Sequence, residues 1–381
     1  MSSSSVEAFY DGNGIPVELT EVEQALDHLW GPAAEKAGGP ELDSPAVTRV
    51  VLANVVLVNL GPNRPEMEKT IEAITTQYPS RLIILRPDPQ AGRKLLAEVS
   101  AQCHLPAPGR PQVCSEQIIL RTSVEGRDLL PGAVRSLVES DLHSVLWWCD
   151  DPREAPELFE QLAGEATRVI LDLPDPEADP GSFAAALKAD EGQKARDLAW
   201  FGLTTWRSLI ADQFDAPVAG NLGRIVSIRV RSNVKDTDRP SRAAAWLVGW
   251  LAGQLGWKPE GSPQILGDGR CEASLRGREG LIKVVLESVM SEMGALAQIE
   301  EVEITLRPDT HPATTLTIQC GGEGTCEICV TDGQGSGCAF PRLVKVPRDE
   351  TAHRVSAALL TDRSDPPYHR AFPITLWLLG G

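Results

Sequence analysis

The stretch Val50–Glu68, VVLANVVLVNLGPNRPEME, decides the fold. Its first eleven residues, Val50 to Leu60, are an almost unbroken aliphatic run, the pattern of a strand covered on both faces of a sheet. A helical pattern follows over Pro65–Tyr78, and the alternation then repeats. Strands are expected at Arg81–Arg86, Gln112–Thr122, Ser144–Trp148 and Arg168–Leu173, with helices over Arg93–Ser100, Gly132–Ser140 and Arg153–Ala163 between them. Strands separated by helices predict an α/β domain over residues 44–175, a mostly parallel sheet with flanking helices. The same stretch withholds the usual ligand loop. After the strand the chain reads NLGPNRPEME, with no GxGxxG; Gly61 is followed by Pro62 and Pro65, and Pro65 removes an amide that a dinucleotide phosphate would want. GxxxxGK[ST] is also missing from the chain, so the domain reads as Rossmann-like without a dinucleotide loop, and no cofactor is expected.

Outward from this domain the grammar changes. Residues 1–43 form an arm with one helix, Val17–Trp30, in which Thr20 and Glu23 have the spacing of a capping box, and a linker follows. The arm packs either on its own domain or against a partner. Residues 176–193 lie in a proline-rich, acidic junction and read as a second linker. Residues 194–381 predict an α+β domain. A long helix spans Lys194–Phe214, a strand Asn221–Arg231, and a Ser241-capped helix carries Trp246 and Trp250 and ends near Gly256. Short strands over 269–275, 281–287, 299–307, 314–319, 325–330 and 338–346 leave no room for crossover helices between 314 and 338, so that sheet is largely antiparallel. A helix over Glu350–Leu360 and a final strand over Ile374–Leu378 close it.

Composition excludes several function classes. No run of eighteen apolar residues exists, and the start MSSSSVEAFYDGNG has no basic segment followed by an apolar one, so neither a membrane span nor a secretory leader is expected. A formal charge of -17, from 53 acidic and 36 basic residues, repels phosphate backbones and anionic lipid. Nucleic acid and membranes are not expected partners, and a cytoplasmic location fits.

Four of the eight cysteines fall in Cys320–Cys338, CGGEGTCEICVTDGQGSGC. If Ile318 faces Ile328 and Leu316 faces Val330, Cys320 stands opposite Cys326 across the GGEGT loop, and Cys329 turns to the other side. Three readings stand: a redox-active pair, a zinc site, or thiols without a role. The spacing C-x5-C-x2-C-x8-C has one close pair where a structural zinc normally takes two, and the acidic flanks Glu323 and Asp332 raise thiol pKa values. Cys103 and Cys114 form a second possible pair, while Cys149 and Cys271 read as lone thiols. Catalytic constellations are thin. The histidines are scattered, no GxSxG or HExxH occurs, and Asp150 and Asp172 read as solubilising residues at strand ends. Arg224, Arg229, Arg231, Arg239 and Arg242 make a basic cluster in an acidic chain. They read as solvated charge with local salt bridges or as a docking patch, while the helix with Trp246 and Trp250 reads as buried against a sheet or as a partner-binding face.

Five ordered segments carry a family resemblance: RVVLANVVLV from Arg49, SRLIILRPDP, QVCSEQIIL, SVLWWCDDP and SRAAAWLVGWLAGQLGW. Together they resemble the glucose-6-phosphate dehydrogenase assembly protein family, OpcA, and the chain reads as a cyanobacterial member. The resemblance implies a non-catalytic activator that binds glucose-6-phosphate dehydrogenase and favours its active oligomer and substrate response. It also implies thioredoxin-linked redox control through cysteines, without designating which. Rival readings are an oxidoreductase or transferase with a nucleotide on the α/β domain, and a zinc-bearing structural protein.

Overall fold

The computed structural model describes residues 14–37, 47–62, 64, 67–104, 112–173, 194–215, 222–233, 240–266, 269–290, 298–307, 314–321, 324–332, 341–347, 350–361 and 364–380. They divide into two compact units, one mainly of residues up to Leu173 and one mainly of residues after Leu198.

The first unit is built in chain order from β1 (Ile15–Val17), α1 (Val22–Ala37), β2 (Val47–Arg49), β3 (Asn54–Val58), α2 (Met67–Gln77), β4 (Arg81–Pro87), β5 (Leu96–His104), β6 (Gln112–Thr122), α3 (Leu130–Leu137), β7 (Ser144–Trp148), α4 (Pro156–Glu165), β8 (Arg168–Leu171) and β9 (Ala195–Asp197). The strand order is β1-β5-β6-β4-β3-β7-β8-β9, with β2 also paired to β6. From β6 to β9 every pair is parallel. Counting β3 as the first parallel strand, the order is third, second, first, fourth, fifth, sixth, the doubly wound arrangement whose switch point lies between β3 and β7. The expected parallel sheet is therefore present. All five residues of β3 are buried, as a strand covered on both faces requires.

Four expectations in this unit need correction. Val50–Leu60 is not one strand: Val47–Arg49 pairs with β6, and Asn54–Val58 lies between β4 and β7. Residues 93–100 are not a helix, because Ala97, Val99 and Ala101 are buried at a period of two, and the segment pairs antiparallel to β6 as β5. The stretch from Lys194 does not begin as a helix, since Ala195–Asp197 is the buried sixth parallel strand. Glu23 does not close a capping box on the arm helix; it binds Arg81.

That ion pair explains how the arm is held. Arg81 and Glu116 are register partners on β4 and β6, and their side chains are 2% and 0% exposed. Arg81 Nε donates to Glu116 Oε2 at 2.8 Å, while Nη1 donates to Glu23 Oε1 on α1 and to the Leu137 carbonyl, both at 2.7 Å. Trp30 Nε1 on α1 donates to Glu116 Oε1 at 2.7 Å. Glu139 completes the set at 2.9 Å from Arg81 Nη2. Burial alone would lower the Arg81 pKa, but Glu116 and Glu23 offset it, and the pKa lies above the ordinary arginine value. The arm helix therefore packs on its own unit.

The second unit comprises α5 (Leu198–Gly202), α6 (Thr204–Asp212), β10 (Ile225–Asn233), α7 (Arg242–Leu255), β11 (Lys258–Leu266), β12 (Arg270–Gly277), β13 (Gly280–Val289), β14 (Ile299–Leu306), β15 (Thr314–Gly321), β16 (Thr325–Asp332) and β17 (Arg342–Lys345), with α9 (Pro366–Leu378) at its end. The intervening α8 (Thr351–Leu360) belongs to the first unit, where Arg168 Nη1 donates to the carbonyls of Ala358 at 3.0 Å and Leu359 at 2.5 Å, a cation on a helix C-terminus. The sheet order is β11-β12-β13-β10-β14-β15-β16-β17, antiparallel except for the parallel pair β10–β13. The largely antiparallel sheet is thus also present.

Two further corrections and one strand not anticipated from the sequence belong here. The helix expected to Phe214 is broken at Leu203 into α5 and α6. Lys258–Leu266, KPEGSPQIL, is a strand despite Pro259 and Pro263, which an edge strand tolerates because one row of its amides has no ladder partner. Ile374–Leu378 belongs to a helix, with Asp365 capping the Tyr368 amide and Tyr368, Ala371, Ile374, Thr375 and Leu378 buried at helical spacing. A short apolar run alone does not separate these alternatives. The helix after Ser241 forms and ends at Gly256 (φ 68°), but Ser241 makes no side-chain cap bond. Its Gly249 and Gly253 lie against α9: a Cβ on Gly253 would fall 2.8 Å from the Arg370 carbonyl. Trp246 is fully buried, stacked on Tyr368 at 4.6 Å and edge-on to Trp200 at 5.4 Å.

Replacing Glu116 with Ala leaves the buried Arg81 guanidinium without its interior partner, and a loss of about 3–5 kcal/mol is expected in urea unfolding. Glu23→Ala removes a half-exposed partner and should cost below about 1 kcal/mol. Equal losses from the two would show that the buried pair is not what holds the arm and sheet together.

Candidate functional site

β3 ends at Val58, and the chain leaves the sheet through Asn59, Leu60 and Gly61. In a sheet of this order the amides of the first βα turn are where a dinucleotide phosphate rests. The next strand, β7, delivers Asp150 to that place, and Asp150 is only 7% exposed. Its Oδ2 accepts the Leu60 amide at 2.6 Å and its Oδ1 accepts the Gly61 amide at 3.1 Å. Gly61 suits this approach, since a Cβ there would lie 2.9 Å from Asp150 Oδ1. Burial pushes the Asp150 carboxyl above the usual range, and the two amides, Arg64 and Arg127 partly offset that rise.

β8 delivers a second carboxylate. Asp172 Oδ2 accepts from Arg64 Nη1 and from Trp147 Nε1, each at 3.3 Å, and lies 3.9 Å from Cys149 Sγ. Arg64 Nη2 also donates to the Cys149 carbonyl. The Cys149 thiol is pushed well above its ordinary pKa, first by burial and then by Asp172 and Asp150, so it stays protonated and is no nucleophile. Asp150 and Asp172 are therefore not solubilising residues, which corrects the expectation. Arg64 converges with them and was not singled out in the sequence, because it lies among turn residues between two prolines. The residues present do not fit a dinucleotide: carboxylates stand where phosphates would go, and Arg64 is engaged.

The cysteine hairpin forms in the expected register. Leu316 pairs with Val330, Ile318 with Ile328, and Cys320 with Cys326. Cys320 and Cys326 are disulfide-bonded with a Cα separation of 4.1 Å, the close spacing of a non-hydrogen-bonded antiparallel pair. Both are 0% exposed, and they point into the buried face of the sheet. Cys329 is also disulfide-bonded, and Cys338 lies outside the described residues. Three of the four clustered thiols are thus already in disulfides, which removes them as zinc ligands. Cys114 is disulfide-bonded and stands opposite Cys103 in the β5–β6 register; the Cys103 side chain lies outside the described residues. Cys149 and Cys271 are free and buried. Burial raises Cys271 to about 11, and its Sγ lies 3.7 Å from the Leu378 carbonyl.

The docking candidates do not form one patch. Trp246 and Arg242 are buried, 0% and 6% exposed, which fits the buried-helix reading for Trp246 and corrects the docking reading of both. Trp250 is half-buried on α7, and Arg239 lies outside the described residues. Arg224 donates to the Arg307 carbonyl at 2.6 Å. Arg229 and Arg231 do share a surface, the polar face of the antiparallel sheet. One cross-strand row reads Arg270, Glu287, Arg231, Glu301, Gln319 and Glu327, and the next Glu272, Val285, Arg229, Glu303, Thr317 and Cys329. Arg231 lies 3.0 Å from Glu301, and Arg229 3.7 Å from Glu303 and 3.9 Å from Glu287.

In the first unit a groove of about 1490 Å³ is lined by Glu18, Glu21, Asp27 and Glu98, with His28 and Lys94. Among the described residues no group of three metal-ligating side chains gathers, and no helix is long and apolar enough to cross a membrane.

Comparison with known proteins gives consistent matches. Residues 71–187 match the glucose-6-phosphate dehydrogenase subunit N-terminal domain of the OpcA family, and residues 193–372 match its C-terminal domain. A Synechococcus elongatus protein named for OpcA of the OxPP cycle is 28% identical over 328 residues, covering 82% of this chain and 68% of its own length. A Nostoc punctiforme protein of the same name is 29% identical over 203 residues, covering 52% of this chain and 42% of its own. The chain therefore spans about two thirds of the first relative's length and under half of the second's. Among solved structures, a 3-ketoreductase from Actinomadura kijaniata with NADP and TDP-benzene is 10% identical, with a TM-score of 0.49 over 86% of this chain and 96% of that one. A Synechocystis biliverdin reductase with biliverdin and NADP+ is 12% identical, with a TM-score of 0.43 over 87% and 96%. Neither likeness bears on function.

Burial and raised pKa make Cys149 and Cys271 inert. With iodoacetamide at pH 8, peptide mapping should find both unmodified in the native chain and modified after unfolding. A folded pKa above the unfolded value gives stability that is complete below about pH 8.5. That stability declines as pH rises toward about 11 for Cys271. Native labelling at either thiol would show that these sites are open.

Proposed function

The chain belongs to the glucose-6-phosphate dehydrogenase assembly protein family, OpcA, and from this membership we propose that it is a non-catalytic activator of that dehydrogenase. It binds the enzyme and favours the active oligomer and tighter substrate binding. The observation that carries this reading is the pair of family domains in order over residues 71–187 and 193–372. Its non-catalytic character is supported by the switch point, where Asp150 accepts the Leu60 and Gly61 amides, Asp172 accepts from Arg64, and a protonated Cys149 offers no nucleophile.

We place the docking surface on the polar face of the antiparallel sheet. Arg229 and Arg231 have side chains 46% and 34% exposed there, flanked by Glu287, Glu301 and Glu303. Alternating charge on a rigid sheet favours one register of approach over others. Activation requires that the chain bind the active state of the enzyme better than the inactive one. A tenfold fall in half-saturating substrate needs only about 1.4 kcal/mol of such preference.

Redox control belongs to the same reading. Cys320 and Cys326 face the core, while their hairpin carries Gln319 and Glu327 on the polar face. Reduction removes a constraint worth about 2 kcal/mol for a short loop and loosens this end of the docking face. Because neither sulfur-bearing residue is exposed, a thioredoxin-class dithiol acts only after local opening of the hairpin.

Glucose-6-phosphate titrations of the cognate dehydrogenase, with and without this chain, should show a saturable fall in half-saturating substrate. An R229Q/R231Q chain should lose most of that effect while melting close to the parent. A C320S/C326S chain should respond identically with and without reductant. No effect of the parent chain and no complex in light scattering would reject the activator; an undiminished reductant response in the serine variant would reject the switch alone.

A further inference from the structure

The parallel sheet builds a seat for an anion and the chain fills it. We propose that Asp150 is a built-in substitute for a ligand phosphate: its carboxylate closes the first βα turn against nucleotides, and removing it opens the turn to inorganic pyrophosphate.

Both carboxylate oxygens are used, one on each of two consecutive amides, Leu60 at 2.6 Å and Gly61 at 3.1 Å. A phosphate group on such a turn would engage the same donors, because successive amides present a concentrated positive potential to any anion. Arg127, and Arg64 although it is also held by Asp172 and the Cys149 carbonyl, add positive charge around the carboxylate. Gly61 leaves the space into which the oxygen projects, with a Cβ position 2.9 Å from Oδ1. The carboxylate comes from β7, the strand beside β3 at the switch point, so closure joins the two halves of the doubly wound sheet. In a nucleotide-binding sheet that junction is bridged by the ligand; here it is bridged by hydrogen bonds to a side chain of the protein itself. This inference does not rest on the dehydrogenase reading.

The experiment uses the full chain. Asp150→Ser should melt several degrees below the parent in chloride, and inorganic pyrophosphate at matched ionic strength should raise its Tm saturably. The parent's Tm should not respond. Asp150→Asn keeps one carbonyl acceptor and should show a smaller drop and a smaller recovery. In calorimetric titrations the parent should bind neither pyrophosphate nor NADP. Saturable binding by the parent, or a serine variant that gains nothing from pyrophosphate, would overturn the proposal. If neither variant folds in chloride, refolding with pyrophosphate decides: recovery of folded serine variant supports the substitution, and failure to recover it overturns it.

Discussion

The buried pair Arg81–Glu116 is the constraint on which the first unit depends. Two opposite charges at register positions of adjacent parallel strands are both removed from water, 2% and 0% exposed. Desolvation makes such a pair weak as net stabilisation but costly to leave half-made. The chain therefore has to satisfy every donor and acceptor around it. It does so by bringing Glu23 and Trp30 from the arm helix, the Leu137 carbonyl from the end of α3, and Arg49 and Glu139 from either side. The arm, an edge of the sheet and a helix terminus are tied through one guanidinium and one carboxylate. Polar satisfaction thus acts together with the buried Val22, Ala25 and Leu26 in specifying where the arm lies.

The carboxyl edge near the switch point answers a different demand with similar means. Strand ends in a doubly wound sheet expose turn amides and strand-end carboxylates that a bound ligand ordinarily engages. Here Asp150 takes the amides, and Asp172 takes Arg64 and the Trp147 indole. The groups complete one another without a ligand. A doubly wound sheet does not by itself call for a nucleotide, since fold and function are separable.

Much of this was legible in the sequence, and the failures share a cause. The strands of the parallel sheet were readable because β3, β4 and β7 are buried on both faces and carry unbroken apolar runs. The hairpin register was readable because one face alternates Leu316, Ile318 and Cys320 against Cys326 and Ile328, so a slip by one residue would turn these buried residues outward. Segments whose identity depends on their neighbours were misread. β11 looks unlike a strand until its edge position is known, and Ile374–Leu378 looks like a strand until Asp365 and Tyr368 show the helix beginning upstream. At the site, Asp150 and Asp172 were visible as strand-end residues. Arg64 was not, because its partners lie 85 and 108 residues away along the chain and nothing local marks the meeting.

The antiparallel sheet shows how a small chemical change can reach a large surface. A strand turns alternate residues to opposite faces, so Cys320 and Cys326 are in the core while their neighbours Gln319 and Glu327 stand on the polar face. Those neighbours continue the row that holds Glu301 and Arg231 on the adjoining strands. Backbone pairing therefore joins the disulfide-bearing hairpin to the polar face without a mobile side chain as intermediary. A disulfide that closes a short loop is worth a few kcal/mol or less. Because both sulfur-bearing residues are buried, any thiol exchange there would wait for the hairpin to open.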